Sequence, residues 1–304
     1  MKASIAALLL VCSSGCLNVR PPSDPFVDGP GPGDHPVAFR PALVPEGMLL
    51  HGGSFSPDQR EFMYTLSDKE FRHFDVKRIR WNGSSWSAPE DAFFNSAANE
   101  HGTSYSPDGK TLFFSSTRAV DRPGAARNWQ LWKCEKDGDL WSDPVHVDIP
   151  NLRNRLVSHA SVAADGTLYF HAGEPDYSRL DIYSASPDGH RYADAVKLPS
   201  QVNRAAQQCT PFIDPARRFL IYESPNGLAI SFRNQRGDWS QAVPLGEASP
   251  TPGRGNPHVS PDGRFLFFAA GDDPESNPQA TWLLYWVHAD QLIARARAQA
   301  TVGP

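Results

Sequence analysis

Four of the ten histidines stand just ahead of a recurring tight turn: His51 in LLHGGS (49–54), His101 in NEHGTS (99–104), His159 in VSHASV (157–162) and His258 in GNPHVS (255–260). A fifth stretch at the same place, QQCTPF (207–212), carries Gln208, while Glu100 and Arg254 sit beside the histidines. Imidazole titrates nearest neutral pH and is the commonest metal ligand, and carboxylate or amide oxygens beside it suit zinc, manganese or nickel. The other reading is that channel-lining strands are polar because the channel holds water, and histidine is a convenient polar residue there. Two features favour the second. The close spacings of a metal motif are missing. The registers also differ: His51 and His101 lie six residues before the turn position, His159 five and His258 three. A one-residue slip along a strand turns a side chain to the opposite face. The set His51, Glu100, His101, His159, Gln208, Arg254 and His258 therefore reads as a binding surface without a cofactor, with a divalent transition metal as the alternative.

What must position these residues is a repeat. The turn segments are SPDQREFMY from Ser56, SPDGKTLFF from Ser106, AADGTLYF from Ala163, DPARRFLIY from Asp214 and SPDGRFLFF from Ser260. Aligned on Pro57, Pro107, Ala164, Pro215 and Pro261, they are separated by 50, 57, 51 and 46 residues. Pro presets φ for the turn, and Gly tolerates the φ > 0 that closes it. The apolar run that follows suits a strand buried on both faces. A third strand then runs into a hairpin turn, and an aromatic residue (Trp86, Trp141, Tyr192 or Trp239) opens a fourth. Another SPDG, at 186–189, falls in the third-to-fourth-strand turn and marks no new copy.

Several short strands recurring at this period are the sign of a β-propeller. Five copies predict an all-β fold of five blades, with six as the alternative if a degenerate copy lies around 28–50. The last copy lacks its fourth strand: after WLLYWV (282–287) comes HADQLIARARAQA, which has helical spacing. The missing strand is expected from the N-terminal side, Phe39 to Val44, because a ring closed in this way leaves no exposed sheet edge. In a propeller the first strand of each blade lines the central channel, which gathers the histidines at a channel mouth.

The SPDG turn followed by an aromatic strand resembles the TolB-type, WD-like propeller repeats of bacterial envelope proteins. The ending LLYWVHADQLIARAR and the opening FRPALVP also resemble lipoproteins of this group. The resemblance covers about 37–298 and departs from the pattern at Ala163-Ala164 and at Asp214-Pro215-Ala216. It implies a propeller that serves as a binding platform. The alternative it implies is a metal-dependent polysaccharide lyase or hydrolase with a His/Gln site in the channel.

Residues 1–15 read as a signal peptide, with Lys2 as the charge and Ile5 to Val11 as an apolar core too short to span a bilayer. Cys16 after Gly15 resembles the acylated cysteine of bacterial lipoproteins, although Ser13 stands where Leu is usual. Residues 16–36 are rich in Pro, Gly and Asp and read as an extended tether. The propeller is expected over 37–298 and a tail over 299–304. These features predict a monomeric outer-membrane lipoprotein facing the periplasm or the outside, with an envelope protein or glycan as partner. The net charge of −5 without a basic stripe argues against nucleic acid. Arg118, Arg122 and Arg127 in the loop 116–128 are expected to form a basic rim for a partner. Cys134 and Cys209, on non-adjacent blades, are expected to be too far apart to bridge.

Overall fold

Each repeat turn is fastened by its own side chains. In a computed structural model, which describes residues 31–33, 35–122, 128–246, 255–274, 276–277 and 279–300, the Ser106 hydroxyl donates to Asp108 Oδ1 at 2.6 Å and accepts the Thr111 amide at 2.9 Å. Asp108 also accepts the Lys110 amide, and Gly109 takes φ +71°. Ser56/Asp58 and Ser260/Asp262 repeat the arrangement. Where Gly is replaced the conformation persists: Gln59 and Arg217 occupy the same position with φ of +59° and +57°. In the fourth copy Asp214 alone receives the backbone, through the Arg218 amide. Turn geometry thus explains the motif and survives its departures.

The turns join four antiparallel strands per blade. The first blade is Met48–Phe55, Glu61–Asp68, Phe74–Arg80 and Glu90–Asp91. The second is Glu100–Tyr105, Thr111–Ser116, Gln130–Asp137 and Val145–His146. The third is Leu156–Val162, Leu168–Gly173, Leu180–Ala185 and Val196–Lys197. The fourth is Cys209–Ile213, Phe219–Ser224, Gly227–Phe232 and Val243–Pro244. The fifth takes His258–Val259, Phe265–Ala270 and Leu283–His288 from its own repeat and Val37–Ala38 from the N-terminal side.

The ring has five blades, not six, and an apolar cluster fills each of the five blade interfaces. Phe212, Leu228, Phe268 and Val287 join blades four and five, and Phe55, Phe62, Phe267 and Trp286 join five and one. Met63 and Phe114 join one and two, Phe113 and Phe170 join two and three, and Tyr169 with Leu220 joins three and four. The closing strand is shorter and earlier than expected. Val37 pairs with Trp286 and Ala38 with Tyr285, and the Phe39 amide reaches Leu284 O at 2.7 Å. Then Arg40, at φ +46°, turns the chain, and Pro41–Leu43 forms a 3-10 helix, since Pro41 has no N–H to continue the ladder. Phe39 instead plugs the seam, edge-on to Phe55, Phe62, Phe267 and Trp286.

The aromatics at the third-strand hairpins pack within and between blades, as burial of large rings requires. They do not open the fourth strand. Trp86 and Trp239 bridge back to Trp81 and Arg233, Trp141 pairs with Lys136, and Tyr192 pairs with Pro187. The fourth strand forms separately a few residues later. The helix Ala289–Gln299 follows the last strand and seats Ala289, Leu292 and Ala296 on the interface of blades four and five. Cys134 and Cys209 are free, the first buried and the second partly so. The signal segment 1–15, Cys16, Arg127, Arg254 and residues 301–304 lie outside the described residues.

Candidate functional site

The histidine registers are reconciled by a bulge. In blades one to four the inner strand breaks register with its neighbour, between Leu50 and Gly53, His101 and Ser104, Ser158 and Ser161, and Cys209 and Phe212. In all five blades the residue five before the turn position is left-handed: Gly52 at φ +85°, Gly102 at +63°, His159 at +53°, Thr210 at +47° and Asn256 at +55°. A bulge re-aims side chains and tolerates what a regular strand forbids. Two glycines in this ring make room for their neighbours. A Cβ on Gly102 would lie 2.9 Å from the His159 ring, and one on Gly52 would lie 2.5 Å from Asn256 Cβ.

Neighbouring blades fasten these bulges to one another. The His159 amide donates to Ser115 Oγ at 2.9 Å, the Thr210 amide to His171 Nδ1 at 3.1 Å and the Asn256 amide to Thr210 Oγ1 at 3.0 Å. Ser158 Oγ ties His101 Nε2, His159 Nδ1 and Ser115 Oγ together, all at 3.0–3.1 Å. The His101 and His159 ring centroids are 4.2 Å apart, and His159 stacks on His171 at 5.1 Å. His171 lies on a second strand, in TLYFHA, outside the repeated pre-turn stretches that singled out the other four. Only its facing of the next blade's bulge reveals it.

Burial holds these imidazoles neutral. It pushes His51 down to about 3, with help from His159, and His159 and His258 to about 4; His101 and His171 fall well below the usual histidine range for the same reason. His51 Nε2 meets Ser67 Oγ at 2.7 Å, and His258 Nε2 accepts the Phe55 amide at 3.3 Å. His159 Nε2 is buried without a well-formed hydrogen bond, with Asn256 as the polar neighbour that nudges its pKa up. Among the described residues no group of three or more His, Cys, Asp or Glu is placed to hold a metal ion.

Glu100, Arg118 and Arg122 have structural partners. Glu100 is fully buried and ion-paired to Arg118 at 2.9 Å, with Ser96 and Ser116 completing its oxygens. Arg118 also donates to Phe94 O and lies over Phe114 and Trp132. It braces blade two from within. Arg122 is held by Asp148 and Arg153 O. Gln208 is buried. Arg118 and Arg122 of this loop thus satisfy carboxylates and carbonyls from other segments.

The two mouths of the channel differ. On the loop side, where the chain comes in to each inner strand, His51 is enclosed by Phe71, Phe74 and Trp282, and Trp129 lies 3.8 Å from His101, ring to ring. Inside, His51, His159, Asn256 and His258 are among the residues around a cavity of about 40 Å³, room for a few waters. On the turn side the channel widens to a hollow of about 590 Å³. Its rim carries Pro57, Pro107, Pro215 and Pro261, its floor Ser104, Ser161, Phe212 and His258, and one wall is the C-terminal helix through Asp290, Ile293 and Arg297. Of the expected site residues that the structure describes, only His258 lines this open mouth.

Comparison with solved structures supports the architecture. A protein of unknown function from Dyadobacter fermentans is similar over 84% of this chain and 82% of its own, with 11% identity and a TM-score of 0.52. A chain assigned as TolB from Agrobacterium tumefaciens matches over 74% of this chain and 71% of its own, at 19% identity and a TM-score of 0.48. A gluconolactonase from Xanthomonas campestris matches over 88% and 99%, at 14% identity and 0.47. No protein-family profile matches the chain. No curated protein matches it either.

Proposed function

We propose that this protein is a non-catalytic binding propeller of the bacterial envelope, which takes a segment of a partner protein into the turn-side mouth of its channel. The observation that carries the reading is the hollow of about 590 Å³ walled by the terminal helix, a volume in the range of ligand-binding clefts. Its lining alternates apolar surface (the turn prolines, Phe212, Val259 and Ile293) with hydrogen-bonding groups from Ser104, Asp290 and Arg297. Such a mixture suits a peptide loop. Anchoring through an acylated Cys16 after the signal-like segment would hold the propeller at the outer membrane on its Pro/Gly tether. Among the described residues no helix is long and apolar enough to cross a membrane.

Ser104→Trp tests the site by filling the hollow from its floor. With the melting transition retained, capture of the partner from envelope extract is expected to disappear; unchanged capture contradicts the placement. A second reading, a metal-dependent lyase or hydrolase, draws on the buried Nε2 of His159, which has no well-formed hydrogen bond beside the inner cavity. Stoichiometric transition metal in protein purified without a metal-binding tag, lost in His159→Gln, would establish the metal site that this reading requires.

A further inference from the structure

The loop face carries two turns built alike on different blades. In blade one the Phe71 amide closes on Asp68 O at 3.2 Å, and in blade three the Tyr177 amide closes on Glu174 O at 3.0 Å. Both turns read acidic–x–acidic–aromatic, Asp68-Lys69-Glu70-Phe71 and Glu174-Pro175-Asp176-Tyr177. Both aromatics are left-handed, at φ +55° and +59°, and both are exposed, by 37% and 48%. Positive φ is unfavourable for a bulky residue and persists where the surroundings impose it, most often at functional sites. Here the surroundings do impose it. Asp68 Oδ1 accepts the Arg72 amide at 2.7 Å, Asp176 Oδ1 accepts the Ser178 amide at 2.9 Å, and Gln207 of blade four holds Tyr177 O at 2.6 Å.

The two platforms are joined by half-buried and buried rings. Phe71 lies 5.5 Å from Trp282 and 6.4 Å from Phe74, and Phe74 lies 5.6 Å from Trp129, an electrostatic neighbour of Tyr177. An aromatic arc thus runs from Trp282 of blade five through Phe71, Phe74 and Trp129 to Tyr177 of blade three, with Phe71 and Tyr177 as its exposed rings. Planar polar groups stand beside those two rings: the Glu70–Arg72 pair next to Phe71, and Asp176 with the Arg155–Glu174 pair next to Tyr177.

We propose that this face binds a carbohydrate chain, with Phe71 and Tyr177 as stacking platforms for pyranose rings. A pyranose has an apolar C–H face that leaves water on a flat aromatic ring, and a rim of hydroxyls that carboxylates and guanidinium groups can hydrogen-bond. Rigid, separated rings with polar neighbours match that amphipathic pattern.

The test is titration of the full folded chain with chitopentaose and with cellopentaose, followed by tryptophan fluorescence, because Trp282 and Trp129 flank the platforms. Saturable binding of at least one oligosaccharide is expected. Loss of one stacking platform, in Phe71→Ala or Tyr177→Ala, should weaken it by about tenfold, while Phe71→Tyr and Tyr177→Phe keep it. Both side chains are substantially exposed, so unchanged melting curves confirm that the variants fold. No saturable signal with either sugar overturns the proposal, as does binding indifferent to both alanine variants. Capture of a protein that depends on Phe71 and Tyr177, without sugar binding, overturns it in favour of a protein interface.

Discussion

Gly102 is the residue that lets His159 occupy the channel: a Cβ at Gly102 would lie 2.9 Å from His159 Cδ2, and Gly102 is itself at φ +63°. Gly102→Ala should destabilise the protein by about 2 kcal/mol or more, combining left-handed strain with the clash. Urea unfolding of Gly102→Ala, His159→Ala and the double variant measures this. Because the two residues touch, the double variant is expected to be more stable than the sum of the single effects implies.

Arg118 is braced against a carboxylate that has no access to solvent. Arg118→Ala should cost about 3–5 kcal/mol, since it leaves Glu100 buried and unpaired. The equilibrium unfolding midpoint in urea reports it. The paired change Arg118→Met with Glu100→Gln should recover most of the loss.

Phe39 closes the ring as a side chain more than as a strand. Phe39→Ala should cost about 3–5 kcal/mol through the cavity left among Phe55, Phe62, Phe267 and Trp286. Deleting residues 17–39 should abolish cooperative melting, whereas deleting 17–35 should leave it intact. Equal melting of the two truncations would contradict closure by this segment.

Acid stability follows from the channel histidines. Their pKa values are lower in the fold than in the unfolded chain, so between the two values the unfolded state binds more protons and stability falls with falling pH. With folded values of about 3 for His51 and about 4 for His159 and His258 against 6.5 unfolded, stability should be level above pH 6.5 and decline from there toward pH 4. Unfolding midpoints at pH 7.5 and 5.0 check the sign. His159→Gln should flatten the slope; a protein more stable at pH 5.0 would contradict the neutral assignment.

The repeat was legible because its turn chemistry is local. Ser106, Asp108 and Gly109 make their bonds within five residues, so the motif and the geometry coincide. Departures were legible too, since the apolar strand follows even where Gln59 or Arg217 replaces Gly. The channel was only half legible. A bulge adds one residue to a strand without any composition of its own, so the registers of His51, His101, His159 and His258 could not be reconciled by counting. His171, Glu100 and Arg118 take their roles from segments far away in the chain, and no local pattern records such partners. The wall of the turn-side mouth was illegible for the same reason: it is Asp290, Ile293 and Arg297 on a helix that the repeat does not contain.

The turn-side mouth as the binding site is tested most directly by photo-cross-linking in intact envelopes. A photoreactive phenylalanine analogue replaces Ile293 on the helix wall, and in a parallel protein it replaces Val196, exposed on the outer edge of blade three. The binding account predicts one discrete protein adduct from position 293, absent from position 196 and lost when Ser104→Trp is added. Adducts from position 196 alone, or an adduct from 293 that persists with the hollow filled, would contradict it.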